Sequence, residues 1–303
     1  LEHLLVENLV QFFNVGSHNH TRLEGADWND GLDMAKENGE SVAFTGMYAQ
    51  NLETLAGFLI KAGRKKIEVA KEIKVLLAKI NYESIFAKRK LLEKYFSKIS
   101  VVISGRKVSL DAAGLAKDLK AKSDWMKQHI RNTEWLSEGF FNGYYDNRKN
   151  RLEGKIGSQV QMTLTGQTFP IMAGIARPWQ VRKILQSVNK YLVNKQTGGI
   201  HLNTDFKKEL HDLGRAFSFS YGDKENGAIF SHMVVMFSYA LYKQGYTEAA
   251  WGSLNSLYKM AVDTAGSKVY PCLPEYFNLQ GRGMYSYLTG SASWFMLTML
   301  TQV

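Results

Sequence analysis

The stretch SVAFTGMYAQNLETLAGFLIKAG, residues 41–63, repeats apolar residues at the three- and four-residue spacing of an amphipathic helix. It begins near a serine and stops at a glycine, residue types that commonly start and end helices. The same periodicity recurs on both sides of this stretch, so we expect a mainly helical chain. Further helices are predicted over residues 1–13, 64–80, 82–98, 109–135, 178–194, 228–244, 247–263 and 290–302.

The clearest strand signal is SVVISGRKVSL at 100–110, which predicts a β-hairpin around Ser104 and Gly105. Long loops rich in glycine and aromatic residues separate the helices, and they carry most of the residues suited to chemistry. Loops of this length are usually functional. A helical scaffold with its site on loops fits an α/α barrel, a ring of helical hairpins with the site at one end. We therefore expect an all-α fold of this type with a small β-hairpin excursion.

The composition narrows the classes of protein to consider. The 303 residues, 45% of them hydrophobic, can build a sizeable core. The single cysteine, Cys272, excludes an intrachain disulfide and favours a reducing compartment, so we expect a cytoplasmic protein. The apolar runs are shorter than the ~18 residues of a membrane span, so no membrane partner is expected. Since the chain starts at Leu1 within a helical pattern and ends in apolar sequence, we expect a piece of a longer protein.

The formal net charge of +10 comes largely from lysines between Lys61 and Lys127. These lysines alternate with apolar residues at helical spacing and with a few glutamates, which predicts solvated helix faces. No recognised nucleic-acid-binding motif accompanies the charge. Nucleic acid is therefore not an expected partner.

A short loop, LEGADWNDGLDMA at 23–35, gathers two acids, a tryptophan and an asparagine between glycines. One interpretation is a sugar site. Asp30 would donate a proton to a glycosidic oxygen, Trp28 would stack on a sugar face, and Asp27 would accept a hydrogen bond from a sugar hydroxyl. The other interpretation is a turn before a helix, because Asn and Asp bond their own backbone and Gly supplies positive φ. The residues alone leave both open.

Two predicted helix starts are suited to an anion. In YGDKENGAIFSHMVVMFSYAL, 221–241, Gly227 would open a helix and His232 would lie about a turn inside it. Helix N-termini bind anions, so His232 could donate to phosphate, although a core histidine fits as well. In GRGMYSYLTGSASWFMLTML, 281–300, Thr289 and Gly290 precede an apolar helix, and Arg282 offers a planar fork for an anion. An ordinary helix cap with a small-residue packing contact is the alternative there.

The rest of the chain offers one further sugar-site candidate and no pattern typical of metal or nucleotide binding. Glu275, in PCLPEYFN at 271–278, could contact a sugar or act as a base, or could lie in a plain surface loop. His18 and His20 have no downstream ligand cluster, so no metal is expected. Neither a phosphate-loop pattern nor a dinucleotide fingerprint is present.

Four segments together resemble the catalytic domain of glycoside hydrolase family 94. They occur in the family's order and span most of the chain. This family contains the inverting cellobiose, cellodextrin, chitobiose and β-1,2-oligoglucan phosphorylases. The segments are GADWNDGLDMAKENGESVAF (25–44), MTLTGQTFPIMAGIA (162–176), KENGAIFSHMVVMF (224–237) and PEYFNLQGRGMYSYLTGSASW (274–294).

The resemblance implies an (α/α)6 six-hairpin barrel and a role for each motif residue. Asp30 would be the general acid and Trp28 would line the sugar site, while His232, Thr289 and Gly290 would bind phosphate. Inorganic phosphate would be the co-substrate and no cofactor is implied. Attack on the anomeric carbon would give an α-sugar 1-phosphate from a β-linked gluco-oligosaccharide, of cellobiose or β-1,2-oligoglucan type.

The sequence also departs from the family pattern. The family's N-terminal β-sandwich, first barrel helices, one phosphate-binding arginine and C-terminal β domain have no counterpart in 1–303. We therefore expect most of one α/α-barrel catalytic domain, with the ring incomplete, and a homodimer only in a full-length protein. Two other functions stay open. One is an inverting hydrolase with Glu275 or Asp146 as base, and the other is a non-catalytic carbohydrate-binding module.

Overall fold

Capping side chains start several of the helices in the computed structural model, which describes residues 1–270, 272–286 and 290–303. Ser41, Ser84 and Asp111 each accept a hydrogen bond from a backbone N–H three residues ahead, as helix caps do. The helices are α1 (Glu2–Phe13), α2 (Val42–Lys61), α3 (Ile85–Ile99), α4 (Ala112–Thr133), α5 (Thr165–Met172), α6 (Pro178–Tyr191), α7 (Ser231–Lys243), α8 (Thr247–Val262), α9 (Thr264–Ser267) and α10 (Gly290–Thr301). About half of the chain is helical and several small sheets are present, so the expected all-α fold is confirmed only in its helical scaffold.

Four helices form a row in which each contacts the next: α2, α5, α7 and α10. A second layer is added where α4 packs on α2 and α8 packs on α7. Paired helices in a row are what a ring of helical hairpins requires, and the closed ring stays a prediction. No helix in the described ranges combines the length and the apolar content needed to cross a membrane.

Short strands pair with one another in the segments between the helices. They are β1 (Thr21–Arg22), β2 (Glu40–Ser41), β3 (Lys66–Ala70), β4 (Lys107–Asp111), β5 (Tyr144–Tyr145), β6 (Gly154–Ile156), β7 (Gln159–Gln161), β8 (Ile229–Phe230), β9 (Tyr276–Phe277) and β10 (Gly283–Met284). The sheet orders are β1-β2-β5, β10-β9-β8, β3-β4 and β6-β7, with antiparallel pairs throughout. Strand β2 leads directly into α2, and β8 leads directly into α7. The sheets that contain β2 and β8 therefore fix the starts of these two helices.

Two hydrophobic cores hold the helices together. One joins α1, α2, α3 and α4 through residues such as Phe12, Leu52 and Leu119. The other extends through α5, α6, α7 and α8, with Phe169 and Phe237 among its buried members.

The predicted helix over 64–80 is wrong. Residues 66–70 form strand β3, and Lys71–Leu77 form a 3-10 helix. Lys-Ile-Glu-Val-Ala alternates charged and apolar side chains, a strand pattern that a helical interpretation of the lysines overlooked.

The predicted hairpin around Ser104 and Gly105 is also wrong. The strand at 107–111 exists, but its partner is β3, with Lys66 opposite Asp111. The two strands pair across the intervening α3, which local turn signals cannot reveal. Helix α5 was not predicted, since it contains Pro170. The other predicted helices are present, with their ends shifted by a few residues.

Candidate active site

The acid loop is a hydrogen-bonded turn, as the second interpretation of 23–35 requires. The Asn29 N–H donates to Asp27 Oδ1 at 2.8 Å, and the Gly31 N–H donates to Asn29 Oδ1 at 3.1 Å. These bonds do not exclude the sugar site. They fix the loop through the side chains of Asp27 and Asn29 and do not involve the side chains of Trp28 and Asp30.

Asp27 ties this loop to the start of α2. Its Oδ2 accepts a hydrogen bond from the Ser41 hydroxyl at 2.7 Å, and Ser41 also caps the helix. Burial raises the pKa of Asp27 to about 6, although the hydrogen bonds from Ser41 and Asn29 oppose the shift. Both carboxylate oxygens thus have partners within the protein. Contact of Asp27 with a sugar hydroxyl stays a prediction.

Asp30 lies on the surface of the loop, where Arg215 holds it. Arg215 Nη2 donates to Asp30 Oδ2 at 3.0 Å, and Nη1 donates to Asp33 Oδ2 at 2.9 Å. Burial opposes a lowered pKa at Asp33, but hydrogen bonds from Arg215 lower it nonetheless. The Ala216 N–H also donates to the Gly31 carbonyl at 2.9 Å. Arg215 therefore fixes the position of the candidate acid.

Sequence reasoning missed Arg215, since it stands far from the acid loop in the chain and belongs to none of the singled-out motifs.

Trp28 points from the acid loop towards the start of α7. Its ring lies 5.4 Å from the Phe230 ring and 5.4 Å from the His232 ring, both edge to face. The prediction that Gly227 opens this helix is wrong, because α7 begins at Ser231 and Gly227, with φ of 76°, precedes β8. His232 is consequently the second residue of α7, closer to the helix terminus than expected.

His232 and Gly290, two of the predicted phosphate ligands, lie against each other. A Cβ added to Gly290 would approach His232 Cε1 to 2.5 Å, so only glycine fits beside the ring. Burial lowers the pKa of His232 to about 4, which keeps the imidazole neutral at pH 7. Its Nε2 is buried and has no hydrogen-bond partner among the described residues. Thr289 lies outside the described residues.

Glu275 directly precedes β9, and the pairing of β9 with β8 brings it next to the start of α7. Its carbonyl accepts the Ser231 N–H at 2.9 Å, next to His232. Burial raises the pKa of Glu275, and the charge of Asp30 raises it further while Lys224 lowers it. Glu275 and Asp30 therefore share one electrostatic environment.

Glu225 and Lys224 belong to the same environment. Burial raises the pKa of Glu225, with further contributions from the charges of Asp30 and Glu275. These two residues stand in the segment KENGAIFSHMVVMF, in which the sequence predicts only His232 as a site residue. Adjacent opposite charges before an Asn-Gly pair were the signal available.

Two other predicted residues lie in exposed turns. The Arg282 N–H donates to Asn278 Oδ1 at 3.0 Å in the turn between β9 and β10, and its side chain is directed to solvent. The Asp146 carboxylate caps its own turn by accepting the Arg148 and Asn150 N–H groups. Within the part of the chain that the structure describes, Arg282 makes no hydrogen bond or ion pair with Asp30, His232 or Glu275.

His18 and His20 each lie within hydrogen-bond distance of a glutamate. His18 Nδ1 lies 2.8 Å from Glu40 Oε1, and His20 Nε2 lies 3.0 Å from Glu134 Oε1. Within the described ranges, no group of three or more His, Cys, Asp or Glu side chains is arranged to hold a metal ion.

Two solved structures from Thermus thermophilus are similar to the chain. The GH63 mannosylglycerate hydrolase in complex with glucose has a TM-score of 0.47 at 12% identity, covering 86% of this chain and 47% of that one. An uncharacterized conserved protein has a TM-score of 0.45 at 12% identity, covering 86% and 46%. Likeness this weak assigns neither fold nor activity to the chain.

A curated relative is the cellobionic acid phosphorylase of Neurospora crassa. It is 25% identical over 197 residues, which are 59% of this chain and 24% of that protein. The chain thus spans about a quarter of the length of this relative.

The family model of the glycosyl hydrolase 94 superfamily, catalytic domain, matches residues 103–303. The match includes His232, Glu275 and Gly290, and the acid loop precedes it. Since it covers most of the sequence, this chain belongs to the glycosyl hydrolase 94 superfamily.

Proposed function

We propose that the protein is a glycoside phosphorylase that cleaves β-linked gluco-oligosaccharides with inorganic phosphate. An oxygen of phosphate attacks the anomeric carbon from the face opposite the leaving group, and Asp30 donates its proton to the leaving oxygen. The glycosidic bond breaks, a carbon–oxygen bond to phosphate forms, and the product is α-glucose 1-phosphate. No protein base is needed, since phosphate is already anionic, and no cofactor is required.

The arrangement of His232 supports this proposal most strongly. A neutral imidazole, whose buried Nε2 has no hydrogen-bond partner within 1–270, 272–286 and 290–303, lies against Gly290 at the first turn of α10. Helix N-termini present unpaired N–H groups and a partial positive charge, which favour a phosphate. His232 and Gly290 would hold the phosphate together with Thr289, and Trp28, whose ring lies beside that of His232, would hold the sugar that the phosphate attacks.

The remaining roles and the wider architecture are proposals of the same kind. Asp27, Glu275 and Arg282 would contact sugar hydroxyls. Residues 1–303 would form most of one α/α barrel in a cytoplasmic protein that dimerises in full length. The name of the Neurospora relative, cellobionic acid phosphorylase, supports phosphorolysis of a cellobiose-like disaccharide and leaves β-1,2-linked glucans to be compared.

The test measures glucose 1-phosphate from cellobiose, sophorose and longer β-glucans, with and without phosphate. It uses this chain and the longest natural form of the protein. We expect product only with phosphate and a loss of about 10²- to 10⁴-fold in Asp30→Asn, the usual size of a general acid's contribution. Asp124→Asn, on an exposed residue of α4, is the matched control and should keep full activity. Phosphate-independent product, or full activity in Asp30→Asn, would refute the proposal.

An inverting hydrolase is the second candidate, because Glu275 shares its electrostatic environment with Asp30. A carboxyl group with a raised pKa is a stronger base, which suits activation of water. In that case glucose would be released without phosphate, and Glu275→Gln would abolish the release. Asp146 is the weaker base candidate, since its carboxylate is engaged in its own turn.

A further inference from the structure

A groove of about 400 Å³ lies between α6 and the loop that follows α4. It shares no residue with the candidate active site. Its aromatic walls are Trp135, Trp179 and Tyr191, and Glu138, Lys183, Gln186 and Lys190 supply its charged and amide groups. The volume falls within the range typical of small-ligand sites.

The two indoles form a stepped aromatic surface. Trp179 is 46% exposed, and its ring lies edge to face with Trp135 at 5.2 Å. Trp135 in turn packs edge to face on buried Phe141 at 4.9 Å. One indole is therefore anchored in the core and holds the other in place at the surface.

The loop and the helix on either side of the groove are fixed to each other. The Ser187 hydroxyl donates to the Glu138 carbonyl at 3.1 Å, which attaches the loop to α6. Gly139 adopts φ of 90°, and a Cβ there would come within 3.3 Å of Ser187 Oγ. Lys183, Gln186 and Lys190 recur at helical spacing along one face of α6, beside Trp179. Hydrogen-bonding groups thus line the groove next to the indole faces.

This combination distinguishes the groove from another of similar volume. The groove between α8 and α10 is lined mainly by apolar residues such as Val262, Leu273 and Met296, and its lining includes tyrosine and threonine hydroxyls but no charged or amide side chain. Pyranose rings have an apolar C–H face and a rim of hydroxyls. An exposed indole beside amide, ammonium and carboxylate groups matches both features.

We propose that the Trp135–Trp179 groove is a second carbohydrate site that binds a β-linked gluco-oligosaccharide away from the catalytic loop. The ligand class rests on the proposed function, while the location of the site rests on the groove. Trp179 stacks on one sugar ring, and Gln186, Lys183 and Glu138 bind its hydroxyls. A site of this kind would keep a long glucan near the enzyme between cleavage events.

The test follows the indole N–H signals of the six tryptophans by nuclear magnetic resonance during titration with cellotetraose and with the β-1,2-linked tetrasaccharide. We expect the Trp179 and Trp135 signals to move with either or both sugars, with an affinity that Trp179→Ala lowers about tenfold. Trp251→Ala is the matched control, because Trp251 is 49% exposed on α8 and lies outside the groove.

The outcomes separate this inference from the proposed function. Unchanged Trp179 and Trp135 signals at saturating sugar, or equal effects of Trp179→Ala and Trp251→Ala, would overturn the second site. Trp179→Ala should also keep its turnover of disaccharides, whereas Asp30→Asn should lose turnover and keep the Trp179 response. Loss of phosphorolysis in every form of the protein would instead count against the proposed function.

Discussion

Arg215 stands 185 residues from Asp30 in the chain, yet its guanidinium bridges Asp30 and Asp33. A general acid becomes a carboxylate when it gives up its proton, and a paired guanidinium stabilises that product and holds the carboxyl in one orientation. Arg215→Ala should therefore lower kcat about two- to fivefold, the equivalent of losing an exposed ion pair worth up to about 1 kcal/mol. The measurement is phosphorolysis kinetics at several pH values.

Arg148→Ala is the control for that prediction. Arg148 is 77% exposed and pairs only loosely with Asp212 at 3.5 Å, so its loss should leave kcat unchanged. A merely structural role for Arg215 would lower stability without moving the pH profile of kcat. Equal kcat values for Arg215→Ala and the parent chain would contradict the positioning role.

The site residues that could be predicted are those whose role is indicated by their neighbours in the sequence. Asp30 and Trp28 are two residues apart, and His232 stands at a helix start, so a short window reveals them. Arg215 could not be predicted, because its partnership with Asp30 arises only when residues 214–216 pack on the acid loop. Arg282 lies in an exposed turn, and its contact with a ligand stays a prediction.

At the scale of the elements, α3 attaches to α1 and α4 through a buried lysine. Lys88 Nζ lies 3.7 Å from the Trp125 ring centroid and 4.3 Å from that of Phe12, and it donates to Asn19 Oδ1 at 2.9 Å. Burial lowers the pKa of Lys88 to about 6, although the charge of Glu83 opposes the shift. At neutral pH the amine is thus held largely without its proton.

At pH 6, Lys88→Met should stabilise the fold by up to a few kcal/mol, because the apolar side chain removes the desolvation cost, which exceeds the roughly 1–3 kcal/mol of leaving Asn19 Oδ1 without its donor. Between pH 6 and 10.5 the unfolded chain binds a proton that the folded chain lacks, so parental stability rises with pH across this window. The gain should therefore be largest near pH 6 and vanish towards pH 10.5. Urea unfolding at several pH values measures it.

Lys90→Met on the same helix is the control. Lys90 is exposed and lies 5.8 Å from the Phe86 ring centroid, so its replacement should change stability little at any pH. The attraction of a charged Lys88 to Trp125 is the competing effect, worth about 2 kcal/mol in a desolvated site. If Lys88→Met destabilised the fold at pH 6, that attraction would outweigh the desolvation cost.

Prediction of the elements succeeded where periodicity was long and failed where pairing was remote. Helix α2 was evident because twenty residues repeat one pattern between Ser41 and Gly63. Strands β3 and β4 were missed as a pair, since five-residue segments separated by α3 carry no mutual signal. Helix α5 escaped because Pro170 usually ends a helix, whereas here the flanking core contacts outweigh that tendency.

At the scale of the whole molecule, one buried carboxylate connects distant parts of the chain. Glu134 follows α4, and it accepts hydrogen bonds from Asn142 at 2.9 Å and from the Tyr145 hydroxyl of β5 at 3.0 Å. It also pairs with His20, which precedes β1. Burial alone would raise the pKa of Glu134, but the hydrogen bond and charge of His20 lower it to about 2.

This shift fixes the sign of a pH effect on global stability. The folded pKa of Glu134 lies below its ordinary value of 4.5, so its contribution is fully present above that value. The contribution is lost as the pH falls from about 4.5 to about 2, because the unfolded chain then takes up a proton first. Glu134→Gln should therefore lower the free energy of unfolding at pH 7 by about 3–5 kcal/mol and flatten its decline below pH 5.

Glu209→Gln gives that prediction a matched comparison. Glu209 pairs with His211 at 3.0 Å just as Glu134 pairs with His20, but Glu209 is 81% exposed and Glu134 only 1%. An exposed pair is worth about 0–1 kcal/mol, so Glu209→Gln should scarcely change urea unfolding at pH 7 or pH 3. Equal losses in the two variants would mean that burial of the His20–Glu134 pair does not govern the acid stability of the fold. A larger loss in Glu134→Gln at pH 7, which shrinks as the pH falls from about 4.5 to about 2, would establish that it does.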